Sequence, residues 1–168
     1  IITFVNTGEE SLPGERIRRV KDYIPANDEN FMVTYGDGVS DIDISALLKF
    51  HRENKKLVTL TAVQPEGRFG ALTIDAPSNC VINFAEKPRG DGSWINGGFY
   101  VCEPAIFDHI DGDETVFERG PLENLAKENQ LVAYKHSGFW KCMDTLRDKK
   151  ELETIWNSKD PGWRVWER

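Results

Sequence analysis

An α/β fold with a mixed central sheet flanked by helices is predicted by three features of this sequence. Strand-like and helix-like runs alternate from the start of the chain to Val63, as layered α/β architectures require. Within that stretch an apolar strand, a well-marked helix and a second strand follow one another, the order of a crossover unit in a parallel sheet. Between Phe69 and Cys102 the helices stop, and three strand-like runs are joined by Pro, Gly and Asn turns, so part of the sheet is expected to be antiparallel.

The elements are justified in order. Ile1–Val5 reads as a strand already under way, which predicts residues upstream of it in the whole protein. Pro13-Gly14 opens a short helix in which Ile17, Val20 and Ile24 recur at helical spacing. Phe31–Tyr35 is a compact apolar strand ended by Gly36-Asp37-Gly38. Asp43 is placed to cap the next helix, whose Ile44, Leu47, Leu48 and His51 form one apolar stripe. Leu57–Val63 is rich in β-branched residues and reads as a strand. Phe69–Asp75, Cys80–Glu86 and Ile95–Cys102 are the three turn-linked strands. Pro104 starts a short helix, and Thr115 with Glu118 matches a capping box for another that turns Leu122 and Leu125 inward. Leu131–Lys135 is a strand and Asp144–Trp156 the last long helix. The aromatic tail Pro161–Trp166 is too short to fold alone and is expected to pack back on the body or on a neighbour.

Composition narrows the function. The 168 residues suit a single domain able to bury a core, with 39% hydrophobic and 29% charged residues, which excludes disorder. A net charge of -7 argues against a scaffold that neutralises nucleic-acid phosphates. A small anionic ligand remains compatible with it, held by a few placed Lys or Arg residues and a metal. No apolar run approaches the ~18 residues of a membrane span, and no signal peptide precedes the first strand-like run. Cys80, Cys102 and Cys142 form no C-x-x-C pair and read as reduced packing thiols; His51, His109 and His136 form no zinc pattern. A cytoplasmic setting is expected.

Four short runs could carry chemistry. Thr34-Tyr35-Gly36-Asp37-Gly38 places one carboxylate between glycines at a strand end, where ligands of open α/β sheets bind; Asp-Gly is equally natural in a simple turn. Phe84-Ala85-Glu86-Lys87-Pro88 sets an acceptor for sugar hydroxyls beside an ammonium for a phosphate, or a solvated pair before a turn. Ile95-Asn96-Gly97-Gly98-Phe99 puts two glycines in a strand-like run, marking a bulge, a close backbone approach or a hairpin turn. In Gly138-Phe139-Trp140-Lys141-Cys142-Met143-Asp144-Thr145, Asp144 either caps a helix or turns toward a divalent cation. Asp41-Ile42-Asp43 looks like the D-x-D of metal-dependent glycosyltransferases, yet capping of the following helix explains it more simply. Asp111-Gly112-Asp113-Glu114 lacks the order of a calcium loop and reads as a plain loop.

Taken in series, T-Y-G-D-G-V-S-D, R-F-G-A-L, E-K-P, I-N-G-G-F and F-W-x-x-M-D-T-L-R-D resemble the sugar-phosphate nucleotidyltransferase family. Thr7-Gly8 and the run Gly14–Val20 look like its cytidylyltransferase branch. The resemblance extends from about Thr3 to Trp166. It implies the C-terminal part of a Rossmann-like nucleotidyltransferase fold, because the family's G-G-x-G-T-R loop and K-P-K-P segment have no counterpart here.

The resemblance further implies CTP and glucose 1-phosphate as substrates, CDP-glucose and pyrophosphate as products, and Mg²⁺ held by Asp37 and Asp144. Lys87 would hold the sugar phosphate. Glu86, Asn96 and the backbone near Gly70 and Gly97 would contact sugar hydroxyls, with Tyr35, Gly36 and Trp140 lining the pocket. Arg16 and Arg18 would reach phosphates of a neighbouring subunit in a homo-oligomer. Residues 1–168 alone are expected to be inactive, since the loop that grips the triphosphate is missing. A uridylyl- or thymidylyltransferase of the same fold, a glycosyltransferase using Asp41 and Asp43, and a non-catalytic sugar-nucleotide-binding or assembly fragment are the alternatives.

Overall fold

The computed structural model describes residues 1–67, 70–89, 93–112 and 114–167. Its regular elements are α1 (Pro13–Arg19), β1 (Phe31–Thr34), β2 (Gly38–Ser40), α2 (Ile44–Asn54), β3 (Val58–Val63), β4 (Ala71–Ile74), β5 (Val81–Ala85), β6 (Ile95–Cys102), α3 (Pro121–Lys127), β7 (Leu131–His136), β8 (Trp140–Cys142) and α4 (Leu146–Trp156). Short 3₁₀ turns follow α1 at Lys21–Tyr23, follow β6 at Pro104–His109, and occupy Val165–Glu167.

The architecture is α/β with a mixed sheet flanked by helices, as the alternation of periodicities predicts. Four strands form the main sheet in the order β1-β6-β3-β7, so β6 lies between β1 and β3. Two antiparallel ribbons accompany it: β2 with β8, and β4 with β5. The second is the antiparallel hairpin expected from the helix-free stretch, with Leu72 opposite Phe84 and a register shift between Thr73 and Ile74.

Two compact units can be distinguished. The first comprises Ile1–Val33, Ser45–Leu60 and Phe99–Ala133; the second comprises Thr34–Ile44, Thr61–Gly98 and Tyr134–Arg168. In the first, Leu47, Val58, Tyr100, Val101, Ile106, Phe117 and Leu125 are buried almost completely. Tyr100 and Phe117 meet edge to face at 5.4 Å, and Phe31 stacks on Phe107 at 5.3 Å. His51 is buried in this unit, its Nδ1 2.8 Å from Thr59 Oγ1, and burial pushes its pKa below 6.5. In the second unit the aromatic tail does pack back: Trp163 lies 5.1 Å from Phe139 and 6.1 Å from Trp156.

Several sequence expectations need correction. Ile1–Val5 forms no strand, and Ile1, Ile2 and Phe4 are exposed. An extended run becomes a strand when a neighbour takes up its backbone groups, and none pairs with it among the described residues. Thr115 and Glu118 do not cap α3. The Thr115 hydroxyl donates to the carbonyls of Asp111 and Gly112, while α3 begins after Gly120, with Pro121 at its first position. Proline's fixed φ and absent N–H suit that position better than any residue upstream. Cys80 is exposed rather than packed in a core. Phe69 and Asp113 lie outside the described residues.

Candidate functional site

The β2–β8 ribbon carries two of the candidate site residues at one end and Trp140 within it. Its register pairs Gly38 with Cys142, Val39 with Lys141 and Ser40 with Trp140. Past the last pair, the Met143 N–H donates to the Asp37 carbonyl at 2.9 Å. Asp37 and Asp144, distant in sequence, therefore stand at the same end of one ribbon, and both are exposed. Asp144 does not cap α4. Thr145 does: its hydroxyl accepts from the Asp148 N–H at 3.2 Å, and the Asp148 carboxylate accepts from the Thr145 N–H at 2.9 Å. This reciprocal box satisfies two helix-end donors at once and leaves the Asp144 carboxylate to other partners. One of these is the Cys142 thiol, which donates to Asp144 Oδ2 at 3.2 Å. Burial, together with the neighbouring Asp144 carboxylate, pushes Cys142 up to about 11, so it acts as a neutral donor.

A second cluster adjoins the ribbon. The Trp140 indole N–H donates to the Gly97 carbonyl at 2.8 Å, and the Tyr35 N–H to the Gly98 carbonyl at 3.3 Å. Asn96-Gly97-Gly98 is not a hairpin turn; it runs within β6. Gly98 has φ +75°, and a Cβ there would come within 2.8 Å of the Tyr35 ring, so only glycine lets the backbone lie under that tyrosine. Asn96 Oδ1 accepts from the Gly98 N–H at 3.0 Å and holds this conformation. Tyr35, Asp37, Asn96, Gly97, Trp140 and Asp144 thus each take part in backbone or side-chain hydrogen bonds around the ribbon and β6, with Gly36 between Tyr35 and Asp37 in sequence.

Glu86 and Lys87 follow β5, as expected of a strand end. Gly70 is their neighbour: a Cβ built on it would lie 3.2 Å from Glu86 Oε2 and 3.0 Å from the Phe84 ring. Arg68 and Phe69, which precede it in the R-F-G-A-L run, lie outside the described residues. Lys87 has φ +46°, a conformation uncommon for a non-glycine residue. Such local strain, of order 1–3 kcal/mol, gathers at binding sites.

Every proposed site residue so far belongs to the second unit, whereas Arg16 and Arg18 belong to the first. There Arg16 donates to the Ser11 and Glu9 carbonyls at 2.7 and 2.9 Å, and Arg18 grips Glu15 with both ends of its fork at 2.7 and 2.9 Å. The Arg18 fork, helped by Arg19, holds the buried Glu15 carboxyl down at about 2 against the opposing effect of burial. Of the D-x-D pair, Asp41 has its Oδ1 3.0 Å from His136 Nε2, and Asp43 immediately precedes α2.

Sequence reading missed β2, β8 and the interactions of Ser40, His136 and Cys142. A histidine two residues before a glycine was the available signal, but its partner Ser40 lies 96 residues away along the chain.

The two carboxylates offer hard oxygen donors, and among the described residues the Asp37 side chain makes no hydrogen bond or ion pair. No group of three or more His, Cys, Asp or Glu side chains that could hold a metal comes together among the described residues. That donor set suits Mg²⁺, which is commonly held by one or two carboxylates together with substrate phosphates and water.

A model described as nucleotidyl transferase matches residues 15–148. The chain is 50% identical over 166 residues to a glucose-1-phosphate cytidylyltransferase of Salmonella typhi, covering 99% of this chain and 63% of that protein. It is 30% identical over 131 residues to mannose-1-phosphate guanyltransferase beta-B of Xenopus laevis, covering 76% of this chain and 36% of the other. HddC from Yersinia pseudotuberculosis, at 22% identity, superposes with a TM-score of 0.63 over 89% of this chain and 65% of its own, which speaks to the fold alone. The chain spans about 63% of the length of the cytidylyltransferase it matches.

Proposed function

The chain belongs to the nucleotidyl transferase family, and on that premise we propose that the whole protein transfers a cytidylyl group from CTP to glucose 1-phosphate, giving CDP-glucose and pyrophosphate. The observation that carries this reading is the 50% identity to glucose-1-phosphate cytidylyltransferase along 99% of the chain. The ribbon end that gathers Asp37 and Asp144 supports it.

In this reaction a phosphate oxygen of the sugar phosphate forms a bond to the α-phosphorus of CTP while the bond from that phosphorus to the bridging oxygen breaks, and pyrophosphate carries away the electron pair. No covalent enzyme intermediate is needed; positioning and charge neutralisation supply the acceleration. Asp37 and Asp144 would hold Mg²⁺, which supplies neutralisation of phosphate charge. Lys87 places its ammonium on the sugar phosphate, where a flexible point charge suits a non-planar anion. Glu86 accepts hydrogen bonds from sugar hydroxyls, and Asn96 holds the backbone of Gly97 and Gly98 open to the sugar. Tyr35 and Trp140 wall the pocket and exclude water.

The test is pyrophosphate release by the full-length protein with glucose 1-phosphate and each of CTP, UTP, dTTP and GTP. CTP should give the highest kcat/KM, and Asp37→Asn or Asp144→Asn should lower kcat by more than about a hundredfold. A preference for UTP or dTTP would transfer the protein to a sister specificity, and near-normal turnover in either variant would remove the carboxylates from the site. Residues 1–168 alone should release no pyrophosphate, because a triphosphate needs a backbone N–H cradle that this stretch does not supply.

A further inference from the structure

A three-pair ribbon is too short to keep its own register. Two-stranded pairings are marginal in water, and a slip of one residue turns every side chain to the opposite face. The β2–β8 ribbon nevertheless sets the relation between Asp37 and Asp144, so something beyond the ladder must hold it. At the end opposite the carboxylates, three side chains and one carbonyl meet. His136, the last residue of β7, brings Nε2 to 3.0 Å from Asp41 Oδ1, 3.2 Å from the Phe139 carbonyl and 3.2 Å from Ser40 Oγ. The Ser40 hydroxyl donates its single hydrogen to the Phe139 carbonyl at 2.8 Å and receives the Ile42 N–H at 3.2 Å. Toward His136 it can therefore only accept. All three groups facing Nε2 are acceptors, which fixes the hydrogen on that nitrogen. Asp41 Oδ1 is buried and has no hydrogen bond of good geometry, leaving the imidazole as its neighbour at ion-pair distance. The cluster has no slack: a Cβ on Gly138 would collide with Asp41 Oδ1 and lie 2.7 Å from His136 Cε1. The Asp41 N–H closes the same end by donating to the Phe139 carbonyl at 3.2 Å.

We propose that His136, Ser40 and Asp41 form a positioning clasp that fixes the register of the β2–β8 ribbon and thereby the placement of Asp37 and Asp144. The inference rests on the reading of those two carboxylates as metal ligands. His136 is a positioning residue here; it acts through the Ser40–Phe139 end of the ribbon and touches no substrate.

The test titrates Mn²⁺ into the full-length protein, following the free-ion signal by electron paramagnetic resonance, with amide hydrogen exchange at Met143 measured alongside. The variants are His136→Gln, which keeps an N–H donor at similar reach, His136→Phe, which keeps a flat ring without one, and Ser40→Ala. His136→Phe and Ser40→Ala should weaken Mn²⁺ about tenfold, while His136→Gln should stay within about twofold of wild type, as for supporting partners of metal ligands. Met143 should exchange faster in the two weakened variants, although it lies at the far end of the ribbon. A purely structural histidine would lower thermal stability without rescue by glutamine. Wild-type Mn²⁺ affinity in a folded His136→Phe protein overturns the clasp, as does loss in His136→Gln equal to that in His136→Phe. Should His136→Phe fail to fold, wild-type affinity in Ser40→Ala overturns it instead. Asp37→Asn separates the two readings: if it leaves Mn²⁺ binding intact, the carboxylate site falls and the clasp with it. If Asp37→Asn abolishes binding but His136→Phe does not weaken it, the clasp alone is wrong.

Discussion

The two compact units of this chain divide stability from chemistry. The first carries Tyr100, Phe117, Leu47, Ile106 and Leu125, all buried nearly completely, together with a buried Glu15 and a buried His51. The second carries every candidate site residue except Arg16 and Arg18, yet its buried apolar side chains among the described residues are Ile42, Ala62, Val63, Leu152 and Pro161. It leaves Leu72, Ile74, Ile82 and Phe84 of the β4–β5 hairpin more than half exposed. Its order comes instead from directed contacts: the ribbon ladder, the Trp140 and Tyr35 hydrogen bonds to the Gly97 and Gly98 carbonyls, the His136 cluster and the stacked tail. The difference has a physical basis. Burial is proportional to area and tolerant of detail, so it suits a scaffold. A site for phosphates and sugars needs polar groups at fixed places, which hydrogen bonds set and apolar packing does not.

The largest effect that would sharpen this division is expected in the first unit. Phe117→Ala should destabilise the full-length protein by about 3–5 kcal/mol, read from urea unfolding, because its ring is fully buried and meets Tyr100 edge to face. A loss below about 1 kcal/mol, the centre of ordinary point mutations, would mean that the core is not there. Asp37→Asn should behave in the opposite way. Its stability should stay within ~0.5 kcal/mol of wild type, as for an exposed residue, while turnover falls by the factor given above. A parallel fall in melting temperature would show that the carboxylate belongs to the scaffold.

Lys87→Ala comes next. It should weaken glucose 1-phosphate by roughly tenfold, about 1.4 kcal/mol, and leave CTP affinity nearly unchanged when each ligand is titrated by calorimetry. Equal losses for both would move the lysine away from the sugar phosphate.

A smaller effect, a pH dependence, is expected from two buried groups of the first unit. His51 has a folded pKa lowered by burial, so the unfolded chain takes up the proton first. Its contribution is complete above pH 6.5 and declines as the pH falls below that value. Glu15 is depressed from 4.5 to about 2, so its contribution is complete above 4.5 and is lost as the pH falls toward 2. Denaturation curves at stepped pH should show both windows; His51→Gln should flatten the first and Glu15→Gln the second. A profile unchanged by either substitution would place the titration elsewhere. The smallest effect is expected for Leu72→Ser on the exposed hairpin, within ~0.5 kcal/mol. A larger loss in the full-length protein would show that this apolar face is covered there.

Much of the scaffold was legible because its signals are local. The stripe Ile44, Leu47, Leu48, His51 located α2 and correctly turned Leu47 and His51 inward, although Ile44 proved 41% exposed. Leu122 and Leu125 pointed inward as predicted, even though the helix that holds them begins six residues after Thr115 rather than beside it. The glycine pair of β6 was readable as a close backbone approach, because a side chain at φ +75° is disfavoured whatever surrounds it. Of the two roles left open for Asp144, capping of α4 falls to Thr145 instead; Asp and Thr are both good N-caps, and the choice between them depended on Asp148 reaching back to Thr145.

What the sequence determined by itself is the set of elements whose pattern fits inside a short window: helices with a stripe, strands rich in β-branched residues, and turns made by glycine and proline. The β2–β8 ribbon lies outside that class. Three residues are too few to show a period, and hydrogen bonds between residues 38–40 and 140–142 leave no mark on either segment alone. The tertiary structure alone decided that Asp37 and Asp144 share a ribbon end, that Asp41 faces His136, and that Asp144 is released from capping. Each of these depends on groups far apart along the chain, and only the folded chain brings such groups within hydrogen-bond distance.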